Sequence, residues 1–355
     1  MRKDSLSSTK RKTIQITVHP KVSETHALLA MNQFPTSMTD SWTPSLDELE
    51  LGPLLGEGSF CQVFRVMVRR DQLQDNDSDQ LSTPQSFAVK RLTCPQNPSH
   101  LAILKTEARI LQRLPFQHPN IICYHRISPE QGFLVMDELS QTLGDAIVQW
   151  KKQRDRRFRS RSPPRKIFKS FVNRTAWINE RRLAQAQRIR AALLGLARAM
   201  EFLHKHKIVF RDLKPDNCGF DHHGNIRLFD FGHARYIGDQ DKVESKVAVG
   251  TYRYMSPEIF LLQPYGLSSD MHSYAMLFWE VCCLEVPYAN AMTKEGIQDM
   301  MIKGKIRPSL GRIASPAMRD LLKQSWIPEP IKRPDFSWIV QEIEKELQTA
   351  SHSQQ

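Results

Sequence analysis

Apolar residues are spaced in two ways along this chain, and the change from one to the other divides it. Residues 1–45 are polar and rich in Ser and Thr, without a sustained period, so a disordered tail is expected there. Only Ile14, Ile16 and Val18 alternate, enough for one short strand. From Leu49 the apolar residues come in short runs. Residues 51–55 and 61–68 predict two strands around a glycine-bearing turn, and 87–92, 121–127 and 132–139 predict three more. The polar run 69–85 between the second and third reads as an unusually long hairpin connection. One helix interrupts the strands over 101–114, with Leu101, Leu104, Ala108 and Leu111 on its apolar face. Beyond about residue 140 the period becomes helical. Ile189, Leu193, Leu196, Met200 and Leu203 form one face of a long amphipathic helix. Short strands around Val209 and over 227–229 frame loops, and helices are predicted from Ser269, Gly296, Pro316 and Phe336. Strands first and helices second predict an α+β chain of two lobes. The small antiparallel β lobe with one helix covers 46–139, the larger helical lobe 140–348, and a second tail 349–355.

Composition changes this picture in one place. Hydrophobic content of 40% and charged content of 25% are those of a globular chain, so a sizeable core is expected. The net charge of +12 is not spread evenly. Residues 151–182 carry thirteen Lys and Arg against Asp155 and Glu180, which accounts for nearly all of it. This basic insert reads first as a solvated, disordered loop. Phe158, Phe168, Phe171 and Trp177 interleave with its charges, which leaves open a contact with RNA, anionic lipid or acidic partners, or a nuclear-import signal. The six cysteines form no C-x-x-C pair, which argues against a zinc site or disulfide framework and suits a reducing compartment. The N-terminus has no apolar signal region, and the most apolar stretch, 271–288, is broken by His272, Glu280 and Glu285. A soluble intracellular protein, cytoplasmic or nuclear, is expected.

The chemistry lies in five short segments. Residues 55–63 read LGEGSFCQV, in which Gly56 and Gly58 let a strand–turn–strand close over phosphates. Alone, this is an ordinary hairpin turn. Lys90 ends the strand segment Phe-Ala-Val-Lys, and a buried strand lysine needs a partner, for which Glu107 on the helix is suited. Residues 209–217 read VFRDLKPDN. Here Asp212 can accept a proton from an attacking hydroxyl, Lys214 can neutralise a phosphate, and Asn217 can hold a magnesium ion. Asp230, in LFDFG, adds a second hard oxygen ligand.

In this order and at these intervals the motifs resemble those of eukaryotic protein kinases of the serine/threonine type, from about Leu49 to Glu346, with Ser256-Pro257-Glu258 completing the set. The resemblance implies phosphoryl transfer from ATP with Mg2+, or alternatively Mn2+, to protein hydroxyls. It implies catalytic roles for Asp212, Lys214, Lys90 and Glu107, and metal ligation by Asn217 and Asp230. Nucleotide contacts are implied for Leu55, Gly56, Glu57, Gly58, Ser59, Val63, Ala88, Lys90, Met136, Asp137 and Leu139. Arg333 would brace Glu258, Asp270 would anchor the catalytic loop, and Leu111, Tyr124, Phe210 and Phe231 would stack between the lobes. Lys214 and Thr251 match the serine/threonine form of the loops around the acceptor. Arg211 commonly receives an activating phosphate, here assigned to Ser245, with Asp239, Asp241 and Glu244 as constitutive substitutes.

Three positions depart from the pattern. Cys61 replaces the third loop glycine, Phe210 the histidine before Arg211, and Gly219 the bulky residue that floors the adenine, a gap that Cys218 or Phe220 would have to fill. A silent nucleotide-binding scaffold is the alternative, opposed by the intact Lys90, Asp212, Asn217 and Asp230.

Overall fold

A computed structural model of the protein describes residues 50–68, 85–115, 117–160 and 171–352. The expected tail over 1–45 and nearly all of the polar connection 69–85 lie outside them.

The small lobe is an antiparallel sheet of five strands, β1 (Leu51–Glu57), β2 (Cys61–Val68), β3 (Gln85–Leu92), β4 (Tyr124–Ser128) and β5 (Phe133–Asp137), in the order β1-β2-β3-β5-β4. Between β3 and β4 runs helix α1 (Pro98–Arg113). Asn97 caps α1 by accepting the Ser99 N–H at 2.9 Å, and Pro98 occupies the first turn, where no N–H is needed. The period of two in β3 sorts its side chains. Phe87 and Val89 pack on the outer face with Val66, Phe133 and Val135, while Ala88 and Leu92 face α1 with Leu104 and Leu134. Lys90 shares the parity of Ala88 and Leu92, so the pleat turns it toward α1. On α1, Leu104, Glu107 and Ala108 fall on one buried face, which places a carboxylate opposite that lysine.

Strand β4 begins three residues later than the pattern of apolar residues predicts. Residues 120–122 bond elsewhere: the Ile122 N–H donates to the Leu228 carbonyl at 2.9 Å, and the Leu228 N–H to the Asn120 carbonyl at 2.8 Å, while the Cys123 carbonyl already accepts the Asp137 N–H at 3.0 Å. This segment ties the small lobe to the large one.

The large lobe begins with β6 (Gln141–Thr142) and α2 (Leu143–Ser160). Helix α3 (Phe171–Arg188) passes through a π turn, Ile189–Leu193, into α4 (Leu194–Lys205). The five apolar residues of the predicted face are all buried there. Short strands β7 (Ile208–Val209), β8 (Cys218–Phe220), β9 (Ile226–Leu228) and β10 (Arg235–Tyr236) follow. Helices α5 (Pro257–Phe260), α6 (Ser268–Cys283), α7 (Lys294–Gln298), α8 (Pro316–Ser325) and α9 (Phe336–His352) complete the lobe. Helix α6 is buried on every side from Ser269 to Cys283, so it is the axis around which the lobe packs. No described helix is long and apolar enough to cross a membrane. The architecture is the expected two-lobed α+β fold.

The basic segment 151–182 differs from the expected loop. Helix α2 continues through Ser160 and α3 starts at Phe171, leaving only 161–170 outside the described residues. The cause is a use for arginine that charge counting misses. The last carbonyls of α6 have no intrahelical partner, and side chains from these helices satisfy them. Arg188 donates to the Val281 carbonyl at 2.9 Å and to that of Cys282 at 3.0 Å, and Arg154 to that of Cys283 at 3.1 Å. Arg182 pairs with Glu346 of α9 at 3.1 Å. Helix α9 also runs past residue 348, the expected boundary of the second tail.

Arg333 and Glu258 form a buried bidentate pair at 2.7 and 2.9 Å, and the same guanidinium donates to the carbonyls of Ser268, Ile327 and Pro328. Arg333→Ala leaves a buried carboxylate and three carbonyls unpaired, so unfolding in urea is expected to show a loss of about 3–5 kcal/mol. A loss within experimental error would show that water replaces the guanidinium.

Candidate active site

Lys90 is 6% exposed, and its ammonium needs compensation. Two carboxylates supply it, Glu107 Oε2 and Asp230 Oδ1, each at 2.7 Å. Glu107 is fully buried and uses its other oxygen to accept the Tyr124 hydroxyl at 3.0 Å and the Phe231 N–H at 3.1 Å. Burial alone would lower the Lys90 pKa, but Asp230 and Glu107 outweigh it and raise the group above its ordinary value. Burial would raise Asp230, yet the adjacent ammonium holds that carboxyl down at about 2. Asp230 is therefore a carboxylate throughout the neutral range. Its backbone sits in the left-handed region at φ 65°, a strained conformation for a residue with a β-carbon.

The second cluster lies on the loop between β7 and β8. Asp270, at the start of α6, accepts the N–H groups of Phe210 and Arg211, both at 2.8 Å, and bonds His204 at 3.0 Å. The loop is thus hung from the most buried helix of the lobe. Asp212 then receives Lys214 Nζ at 2.8 Å and Asn217 Nδ2 at 3.0 Å on one carboxylate oxygen. Its other oxygen accepts the Thr251 hydroxyl at 2.7 Å, and that hydroxyl accepts Lys214 Nζ at 3.2 Å. Gly250 makes this approach sterically feasible. Its φ is +110°, and a β-carbon there would stand 2.4 Å from the Arg211 carbonyl oxygen. Phe210 packs edge-on against Phe231 at 5.3 Å, and Leu111 touches the cores of both lobes.

The cleft between these clusters contains the positions expected to touch nucleotide. Gly56, Val63, Lys90 and Leu134 lie in one cross-strand row, with Ala88, Met136 and Tyr124 in the next. Leu55, Glu57, Gly58 and Ser59 lie at the end of β1 and in the turn to β2, where the Gly58 N–H bonds the Cys61 carbonyl at 2.8 Å. Asp137 turns outward to His125 at 2.7 Å, and the neighbouring Glu138 is pinned to Arg65 and Ser86. The donor atoms of Cys123, His125 and Asp137 gather within 4.8 Å, a proximity that cysteine spacing did not suggest. Burial pushes the Cys123 thiol up to about 11, so it is protonated.

Each of the three departures has a physical explanation here. Cys61 lies in the small-lobe core, and burial pushes its thiol up to about 12, well away from the reactive thiolate. Phe210 takes up its place by packing, while Asp270 holds its backbone. At Gly219, neither Cys218 nor Phe220 fills the gap: Cys218 is buried in the large-lobe core and Phe220 packs on Trp150. Leu139 fills it instead. A β-carbon at Gly219 would lie 2.8 Å from Leu139 Cδ1, 2.9 Å from the Gln141 carbonyl and 3.4 Å from the Phe229 ring. Leu139 lies 80 residues before Gly219, so this packing is invisible in sequence.

Ser245 and Arg211 are not brought together. The Ser245 hydroxyl donates to the Val247 carbonyl at 2.7 Å. The Arg211 guanidinium donates to the His233 carbonyl and to the Tyr265 hydroxyl, the latter at 2.9 Å. Asp241 pairs with Lys207 at 2.9 Å, not with Arg211. Tyr265 carried no signal in the sequence.

Comparison with known proteins agrees with this geometry. The pattern of the protein kinase domain matches residues 49–343, most of the chain. This chain belongs to the protein kinase family. The kinase is 25% identical over 337 residues to the serine/threonine-protein kinase STY17 of Arabidopsis thaliana, a match covering 94% of the chain and 50% of that protein. It is 26% identical over 313 residues to the serine/threonine/tyrosine-protein kinase HT1 of the same plant, covering 86% and 68%. It is 25% identical over 296 residues to the dual specificity protein kinase shkD of Dictyostelium discoideum, covering 83% and 34%. The kinase thus spans about half the length of the first of these relatives.

Membership implies ATP and a divalent metal, and the residues fit both. The Asn217 amide nitrogen is spent on Asp212, at 2.8 Å to its carbonyl, which leaves the amide oxygen as a donor, and the Asn217 backbone carbonyl holds the N–H of Phe229, the residue before Asp230, at 3.0 Å. Two hard oxygens of this kind suit a small divalent cation. A β-carbon at Gly56 would meet no protein atom within 4 Å, so nothing in the protein demands glycine there and the space suits phosphates.

Gly219→Ala forces Leu139 or the Gln141 backbone to move, with an expected destabilisation of about 1–3 kcal/mol and weaker ATP binding by calorimetry. Adding Leu139→Ala should recover part of the stability but not the affinity. Full recovery of affinity would show that Leu139 does not support the base.

Proposed function

We propose that this kinase transfers the γ-phosphate of ATP to serine or threonine hydroxyls of proteins, as a step in intracellular signalling. One observation carries the reading: Asp212 is held between Lys214 and Thr251, with the lysine bonded to both. A general base so oriented accepts the proton of an alcohol brought against its free face. The lysine stands where charge develops during transfer and can neutralise it. Thr251 fixes the height at which an acceptor chain lies over the base, which favours the shorter serine or threonine side chain.

ATP with its cation, Mg2+ or Mn2+, supplies the phosphoryl group and masks its charge when bound. Lys90 offers an ammonium to phosphate oxygens without conformational search, since two carboxylates already fix it. Asp230 and Asn217 offer oxygens to the cation. Leu55, Val63, Ala88, Met136 and Leu139 provide the apolar walls that hold a base and exclude water.

A peptide array bearing serine, threonine and tyrosine acceptors tests the reading. Wild type is expected to label serine and threonine peptides, and Asp212→Asn to lose about 10²–10⁴-fold in turnover. Equal labelling by both proteins would remove Asp212 from catalysis, and labelling of tyrosine peptides would make the kinase dual-specific. Since two oxygens already hold Arg211, Ser245→Ala is expected to retain activity after phosphatase treatment. Loss of that activity would establish Ser245 as an activating site.

A further inference from the structure

We infer that this kinase selects acceptor sites flanked by an aspartate or glutamate side chain, read by Lys246 and Lys294. The inference rests on the kinase reading above and names its substrate class. A cavity of about 220 Å³ opens beside the segment that leads to Thr251. It is lined by Lys246, Val247, Ala248, Phe260, Leu262 and Lys294. Four of these side chains are apolar, and the two ammonium groups are the only charges in the lining. Lys246 is exposed and Lys294 partly buried, and neither joins an ion pair among the described residues. Most other surface lysines with a neighbouring acid, such as Lys205, Lys303 and Lys345, are paired along their own helices.

The cavity is close to the base along two approaches that both meet at Thr251. Lys294 Nζ lies 4.9 Å from the centre of the Tyr252 ring, and Tyr252 directly follows Thr251, whose hydroxyl bonds Asp212. That cation–π contact also limits the positions of the ammonium. On the other side, Ala248 is three residues from Thr251, a span of at most about 10 Å in extended chain. A substrate lying extended across Asp212 covers the same distance in about three residues.

The shape and charge fit one kind of side chain. The stem of a glutamate or aspartate can lie on Val247, Ala248 and the half-exposed Leu262 (49%) and bring its carboxylate between two ammonium groups. A lysine or arginine would meet two like charges over an apolar floor, so the same pair rejects basic sites as it accepts acidic ones. Glu244 and Glu295 neighbour the two lysines in sequence but are exposed and outside the lining. The net charge of +12 acts in the same direction at long range.

A positional peptide library with a fixed serine and four varied positions on each side tests this with the full chain. Acidic residues are expected to be preferred over alanine by about three- to tenfold at a position within three residues of the serine, with lysine and arginine disfavoured there. Lys246→Ala and Lys294→Ala together should level that position while leaving turnover of an all-alanine peptide unchanged. Lys246→Glu should turn the preference toward basic residues. Absence of acidic preference in wild type, or a preference that survives both alanine substitutions, overturns the assignment. Failure to phosphorylate any peptide would refute the kinase reading instead. Fluorescence anisotropy then decides the subsite: tighter binding of acidic than of alanine peptides, lost in the double variant, upholds it, and equal binding overturns it.

Discussion

A buried ammonium is unstable without an opposite charge, and that constraint at Lys90 organises the small lobe. Its two carboxylates come from different elements, Glu107 from α1 and Asp230 from the turn after β9, at 2.7 Å each. Glu107 in turn takes the Tyr124 hydroxyl and the Phe231 N–H. Four segments are therefore fixed by one charge: the central strand, the helix, the start of β4 and the Asp-Phe-Gly turn. Displacing α1 would take Glu107 from the lysine and leave that buried carboxylate without its cation, an outcome far more costly than losing an exposed pair. The left-handed backbone at Asp230 persists because these contacts over-determine it.

The large lobe depends on α6 in a comparable way, and both of its ends are used. At its first turn the Asp270 carboxylate takes the backbone of the catalytic loop. At its last turn the cationic Arg188 and Arg154 take the free carbonyls. Acid at the start and base at the end also match the helix dipole. Part of what looked in sequence like surplus positive charge, Arg154, is thus a structural cap for the central helix, together with Arg188 just beyond the basic segment. The Arg333–Glu258 pair then fixes the segment that carries Thr251 and Gly250 against the same helix.

Legibility varied with the range of the interaction. The long helical face from Ile189 to Leu203 and the alternation in β3 were visible because each is a repeat within fifteen residues. Lys90, Asp212, Asn217 and Asp230 were visible because phosphoryl transfer asks for those groups in a fixed order. The start of β4 was misplaced because residues 121–123 are as apolar as a strand, yet the Ile122 N–H goes to Leu228 of β9 and the Ile121 N–H to the His118 carbonyl. The helical ends of the basic segment were missed because composition records charge and not the carbonyls that charge can cap. The filling of the space at Gly219 was sought in its sequence neighbours Cys218 and Phe220, while Leu139, far away in sequence, occupies it.

Residue order by itself determined the class of fold, the faces of its strands and helices, and which groups were available for chemistry. These follow from periodicity and side-chain identity, which are local. Tertiary structure alone decided the pairings: Lys90 with Asp230, Arg211 with Tyr265, Gly219 with Leu139, and Lys246 with Lys294 at one cavity. Hydrogen bonds, ion pairs and steric contact act over a few ångströms, while these partners are separated by tens of residues. Only the folded chain brings them within that range.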